Sequence, residues 1–182
     1  PYEQFNTMFG GIRKGNIYAW VSRPKHGKST ILSHLATEMS VINECPALIL
    51  DTEMSTVDVQ FRIASAVTGI PVWYLETGQW RKNEQMVKRF EDNKERFYKA
   101  KRNVMHMTVA GKPIQEICSI VRRWYYTHVG RGNNCVVVYD YIKLTGEKDS
   151  NKKEYELIGE KVNTLKELTL ELDIPLLTAC QL

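Results

Sequence analysis

The amino-acid sequence predicts an α/β fold, a mainly parallel β-sheet flanked by helices. Two observations carry that expectation. Short apolar runs rich in β-formers alternate along the chain with longer stretches of helical period. The runs are also continuous rather than alternating with polar residues, as in strands covered by helices on both faces. With 182 residues, 43% apolar and 25% charged, the chain suits one compact domain that buries its own core, spanning 1–182.

The expected strands are Ile17 to Ser22, Ala47 to Asp51, Val104 to Val109, Cys135 to Tyr139 and Pro175 to Cys180. Helices fill the gaps. The first covers Lys28 to Asn43, with Ile31, Leu32, Leu35, Ala36 and Met39 sharing a face. Others cover Thr56 to Val67, Asn83 to Lys99, Pro113 to His128 and Glu154 to Leu172, the fourth opened by a proline suited to a first turn. Gly130 to Asn134 and Thr145 to Lys153 read as loops. Because the chain stops at Leu182, directly after a core strand, it reads as an excised fragment truncated at its C-terminus.

Several classes are excluded. No apolar run approaches the roughly 20 residues that cross a bilayer, and the first residues lack the basic head and apolar stretch of a secretory signal. A cytoplasmic protein is expected. Cys45, Cys118, Cys135 and Cys180 form no CxxC pair and have no histidine at ligand spacing, so they read as reduced thiols. The net charge of +4 says little. Its distribution says more: from Arg81 to Arg102 nine Lys or Arg stand against four Asp or Glu. Met86, Phe90 and Phe97 recur there at helical spacing, which predicts an amphipathic helix with a wet basic face, or else an interface with a neighbouring subunit or accessory domain.

Four segments carry chemistry. Ser22-Arg23-Pro24-Lys25-His26-Gly27-Lys28-Ser29-Thr30 follows one strand and opens a helix, the setting in which a P-loop works. There the helix N-terminus and backbone amides surround phosphate oxygens, Lys28 neutralises the β- and γ-phosphates, and Ser29 ligates Mg²⁺. The pattern calls for glycine where Ser22 stands. Asp140 ends a buried strand, where an open α/β sheet meets its ligand, and is the candidate holder of the metal's water shell. Asp51 and Glu53 reach the same edge from another strand. Either could accept the proton of a water attacking phosphorus, and spacing does not separate them. Gln181 ends the last strand with an amide able to bond the γ-phosphate and report its loss.

These segments in this order resemble the C-terminal motor domain of the DnaB-type replicative helicases, members of the RecA-like superfamily 4. The similarity covers nearly the whole chain, from Phe9-Gly-Gly-Ile-Arg-Lys-Gly-Asn16 to Ile174-Pro-Leu-Leu-Thr-Ala-Cys-Gln-Leu182. Arg23-Pro24 and a small residue at Ser22 match that family's P-loop. Asp51-Thr-Glu-Met-Ser55 matches its Leu-Glu-Met-Ser segment, with Asp51-Thr52 in place of Ser-Leu, and Asp140-Tyr-Ile-Lys-Leu144 matches Asp-Tyr-Leu-Gln-Leu. The resemblance implies a RecA-like P-loop NTPase core, ATP or another NTP with Mg²⁺ as its ligands, and Glu53 as the catalytic base. It implies Arg62, nine residues further on, near the nucleotide phosphates. It implies a homo-hexamer that hydrolyses NTP, moves 5′ to 3′ on single-stranded DNA and unwinds duplex, with a primase or loader as possible partners. The arginine finger and much of the DNA-gripping loop would come from beyond Leu182, so this fragment is expected to bind Mg-nucleotide weakly and turn it over poorly.

Lys143, Lys148, Lys152 and Lys153 follow Asp140 and are candidates for sequence-independent phosphate contacts with DNA, against the reading of a solvated loop. Trp124, Tyr125 and Tyr126 read as core aromatics rather than base-stacking platforms. Two other functions share the motifs: a RecA- or RadA-like strand-exchange ATPase, and a regulatory or loader module that binds nucleotide without unwinding.

Overall fold

The computed structural model describes residues 3–23, 25–142 and 153–181, the last of these by its backbone. After a short helix α1 (Glu3–Phe9), the chain runs through β1 (Ile17–Ser22), α2 (Lys28–Asn43), β2 (Ala47–Asp51), α3 (Thr56–Thr68) and α4 (Val72–Glu76). It continues with α5 (Glu84–Asn103), β3 (Val104–Thr108), α6 (Ile114–Trp124), β4 (Val136–Asp140), α7 (Glu154–Leu172) and β5 (Leu176–Gln181). All the strand pairs are parallel, in the order β1-β5-β4-β2-β3. The connection from β1 to β2 therefore passes over the places that β5 and β4 later fill.

Strand parity divides the core in two. Val136 and Val138 of β4, with Ala47 and Ile49 of β2, face a cluster containing Leu32, Leu35, Val59 and Ile63 from α2 and α3. Val137, Tyr139, Leu48 and Leu50 point the other way, against Ile117, Val121, Leu165 and Leu168 of α6 and α7. Each fully buried aliphatic side chain contributes about 1.5–3 kcal/mol, so the continuous apolar runs of β2 and β4 follow from having a helical layer on either side.

The edge strands differ from the expectation of full cover. Val21 of β1 is 54% exposed, and β3 is half-buried over most of its length. Each has a strand neighbour on one side alone among the described residues. The segment expected as one helix to His128 instead leaves the α-helix at Trp124 and closes with a π-turn over Tyr125–Val129, where the Gly130 amide donates to the Tyr125 carbonyl at 2.8 Å. Helices α1 and α4 and a 3₁₀ turn at Gln79–Lys82 were not expected. Trp124 and Tyr125 are core residues, whereas Tyr126 is half-exposed with the Arg131 guanidinium 5.6 Å from its ring centre.

Capping signals hold locally. The Ser55 hydroxyl accepts from the Asp58 amide at 3.2 Å and the Asn83 side chain from the Met86 amide at 3.2 Å, opening α3 and α5. On α5 part of the basic surplus is structural: Arg96 pairs with Glu38 at 2.8 Å, Lys99 with Glu44 at 2.5 Å, and Arg89 donates to the Gly69 carbonyl at 2.8 Å. Met86 and Ala100 lie underneath, so the expected amphipathic helix is present and runs to Asn103. Among the described residues, no helix is long and apolar enough to cross a membrane.

Candidate functional site

The strand ends meet at one rim. Register pairs Ser22 with Gln181, and Asp51 with both Asp140 and Thr108, so β1, β5, β4, β2 and β3 finish at the C-terminal edge of the sheet. Open α/β sheets take their ligands at that edge. A cavity of about 380 Å³ lies there, lined by Lys25, Gly27, Lys28, Ser29, Thr30, Glu53, Arg62 and Tyr141. Seven of those eight lining residues are candidates from the sequence. Tyr141 was not; its only signal is its place directly after the Asp140 strand end.

The loop between β1 and α2 is built around the helix start. Gly27 precedes the first turn of α2 at φ 77°, a left-handed conformation that glycine enters without penalty, and among the described residues no side-chain cap bond is made there. The first amides of α2 thus keep their donors for an anion, where the helix dipole favours negative charge. Lys25 adopts φ 62° in the same loop. The Lys28 ammonium donates to the carbonyls of Ser22, at 3.2 Å, and Arg23, at 3.1 Å, across the loop. Ser22 itself lies in β1, paired with Gln181. The glycine that the pattern calls for is not needed at this position, since extended backbone suits any residue.

His26 is exposed and does not line the cavity, although it belongs to the same loop. Pro24 lies outside the described residues, as do Lys143, Lys148, Lys152 and the Gln181 side chain. Lys153 opens α7, its amide donating to Glu156 at 2.9 Å and its ammonium lying 5.9 Å from the Tyr155 ring centre.

Three carboxylates share the rim. Asp140 is buried, and the Ser29 hydroxyl is near enough to act on its carboxyl. Burial pushes its carboxyl above the usual carboxylate range; the nearby Ser29 hydroxyl opposes that shift, Asp51 and Glu53 add to it by like charge, and Lys28 opposes it. One Asp140 oxygen, Oδ1, is buried with no hydrogen-bond partner among the described residues. A hydroxyl beside a carboxylate with an unused oxygen is a donor set that fits Mg²⁺, which takes few protein ligands and completes its shell with water and phosphate. Among the described residues no group of three or more His, Cys, Asp or Glu side chains could hold an ion alone.

The other two carboxylates divide. Asp51 is 2% exposed, and its Oδ1 accepts from the amides of Glu53, at 2.5 Å, and Met54, at 2.6 Å. Glu53, two residues further along the loop, is exposed and lines the cavity.

Known proteins agree with this architecture. The model of the DnaB-like helicase C terminal domain matches residues 1–182. The replicative DNA helicase DnaB of Buchnera aphidicola subsp. Acyrthosiphon pisum is 25% identical over 183 residues, and that of Helicobacter pylori strain 26695 is 26% identical over 189 residues. This chain is covered in full by both and spans 38% and 36% of their lengths. The solved structure of a DnaB-like replicative helicase, described with its interactions with primase, superposes with a TM-score of 0.84 at 19% identity, over 100% of this chain and 42% of the other. A solved ATPase domain gives the same TM-score and identity over 99% of this chain and 62% of its own. Both share the RecA-type fold found here. With its family model matched from end to end, the chain belongs to the family of DnaB-like helicase C-terminal domains.

Proposed function

We propose that this chain is the nucleotide-hydrolysing motor of a replicative DNA helicase. In a homo-hexamer of the whole protein it hydrolyses ATP or another NTP, translocates 5′ to 3′ on single-stranded DNA and unwinds duplex. The observation that supports this best is the grouping of Lys28, Ser29, Glu53 and Arg62 around one cavity, at the strand edge where Asp140 ends β4. A strand-exchange ATPase would share much of this rim, but the family match over the whole chain favours the helicase.

Each residue has a part. The amides opening α2 and the Lys28 ammonium bind the phosphate chain, and the loop backbone that Lys28 touches keeps it aimed at that position. Ser29 and Asp140 would hold Mg²⁺, which when bound would neutralise charge on the phosphate oxygens. Glu53 accepts the proton of the attacking water. Asp51 is less suited to that part, because it is buried, does not line the cavity and has its Oδ1 taken by the amides of Glu53 and Met54. Arg62 adds a cation beside the phosphates, Lys25 a second. Gln181, next to Ser22 in the sheet, bonds the γ-phosphate and relays its loss.

Primase is a fitting partner because a structurally similar helicase is described with one; a loader and a cytoplasmic setting follow from replicative work. The test is unwinding of a forked duplex with a 5′ single-stranded tail by the full-length protein. Strand separation that needs a hydrolysable NTP and a 5′ tail is expected. Nucleotide-dependent filaments on DNA without unwinding would replace the helicase with the strand-exchange reading.

A further inference from the structure

A general base carried on a loop is useful only if the loop holds it still, since small misplacements cost rate steeply. We propose that Asp51 is a positioning residue that shapes the Glu53 loop, with Thr108 and His106 of β3 clamping the same loop from the neighbouring strand. This rests on the reading of Glu53 as the base.

Asp51 is the last residue of β2, held between β4 and β3 in register with Asp140 and Thr108. Its backbone carbonyl accepts from the Val109 amide at 2.8 Å, so the residue cannot shift without breaking the sheet. From that anchor Oδ1 reaches forward to two consecutive amides, Glu53 at 2.5 Å and Met54 at 2.6 Å, and turns the chain sharply just where the base is carried. Burying a carboxylate is costly unless it is hydrogen-bonded, and charge-assisted bonds to amides are the strong kind that offset the cost.

The edge strand supplies the remaining contacts. The Thr108 hydroxyl donates to the Met54 carbonyl at 3.3 Å, and His106 Nδ1 lies 3.0 Å from the Thr56 hydroxyl at the first residue of α3. His106 and Thr108 are two apart on β3 and so share a face. Residues 53, 54 and 56 are therefore each tied to β2 or β3. Polar residues at the end of an edge strand gain a purpose from this, and Asp51 gives the loop one acceptor oxygen that reaches two amides at once.

The test uses the full-length protein with Mg-ATP, steady-state hydrolysis and a titration with a fluorescent ATP analogue. Asp51→Asn keeps an acceptor oxygen without the charge, and Asp51→Ala removes both. Asp51→Ala is expected to lower kcat by about 10- to 100-fold with nucleotide affinity changed less than about threefold, while Asp51→Asn stays within about threefold of wild-type kcat. Thr108→Val is expected to lower kcat by about two- to fivefold at unchanged KM, and decides the matter should Asp51→Ala fail to fold. Wild-type kcat in Asp51→Ala or Thr108→Val overturns the clamp. Asp51→Asn as slow as Asp51→Ala also overturns it, by showing that the charge rather than the acceptor is needed. Glu53→Gln is the separate control: full activity there removes the base reading itself, whereas a dead Glu53→Gln beside normal Asp51 and Thr108 variants removes the positioning alone.

Discussion

Asp51 and Asp140 stand opposite one another at the ends of β2 and β4, and the fold gives their carboxylates contrary surroundings. Asp51 spends Oδ1 on two backbone amides, whereas Asp140 Oδ1 is buried with no hydrogen-bond partner among the described residues. On the proposed reading, one carboxylate organises the loop and the other serves a cation.

The raised carboxyl of Asp140 has a cost at neutral pH. Since its folded-state pKa lies above the unfolded value, stability is lost as pH climbs from the ordinary carboxylate range through the raised value, and stays lost above it. Asp140→Asn should match or exceed the wild-type Tm at pH 7 without Mg²⁺, with the gap closing below pH about 4. Thermal melts across pH check this; a Tm at pH 7 clearly below wild type would count against it.

Lys28→Ala should weaken nucleotide binding by about 10- to 100-fold, the worth of one hydrogen bond to a charged group. Titration with nucleotide in Mg²⁺ measures this, and unchanged affinity would remove the phosphate-binding reading of the loop.

Gly27→Ala separates backbone from packing. Among the described residues nothing lies within 4 Å of a methyl added there, so its cost comes from the left-handed φ of 77°. A loss of about 1–2 kcal/mol in urea unfolding is expected, together with weaker nucleotide binding as the loop relaxes. Unchanged stability would mean that the loop is indifferent to this conformation.

Burial lowers the pKa of His106, against a smaller opposing pull from the Asp51 charge. A base whose folded pKa is depressed favours folding less as pH falls, because the unfolded chain takes the proton first. Stability should therefore decline just below pH about 6.5, and His106→Gln should flatten that part of the profile. An equal decline in the variant would assign the effect to another group.

Much of this was legible locally. The runs through β2 and β4 read as buried strands because both faces are apolar, and Ser55 and Asn83 announce their helices because a cap is a contact between residues three apart. The exposure of Val21 and the half-burial of β3 were not legible, since they depend on which strands fall at the edges. The π-turn after Trp124 left no sign in the helical period of its residues.

The motif order, the helix start at Lys28 and the acid closing β4 are properties of neighbours along the chain, where short-range sterics and side-chain period suffice. The choice between Asp51 and Glu53 is of another kind. Both follow one strand and both are acids; they part company because sheet register seats Asp51 against β4 and β3 with its oxygen on two amides, while the turn so formed delivers Glu53 to the cavity. That outcome needs strands brought together from distant parts of the chain, so it is decided by long-range pairing.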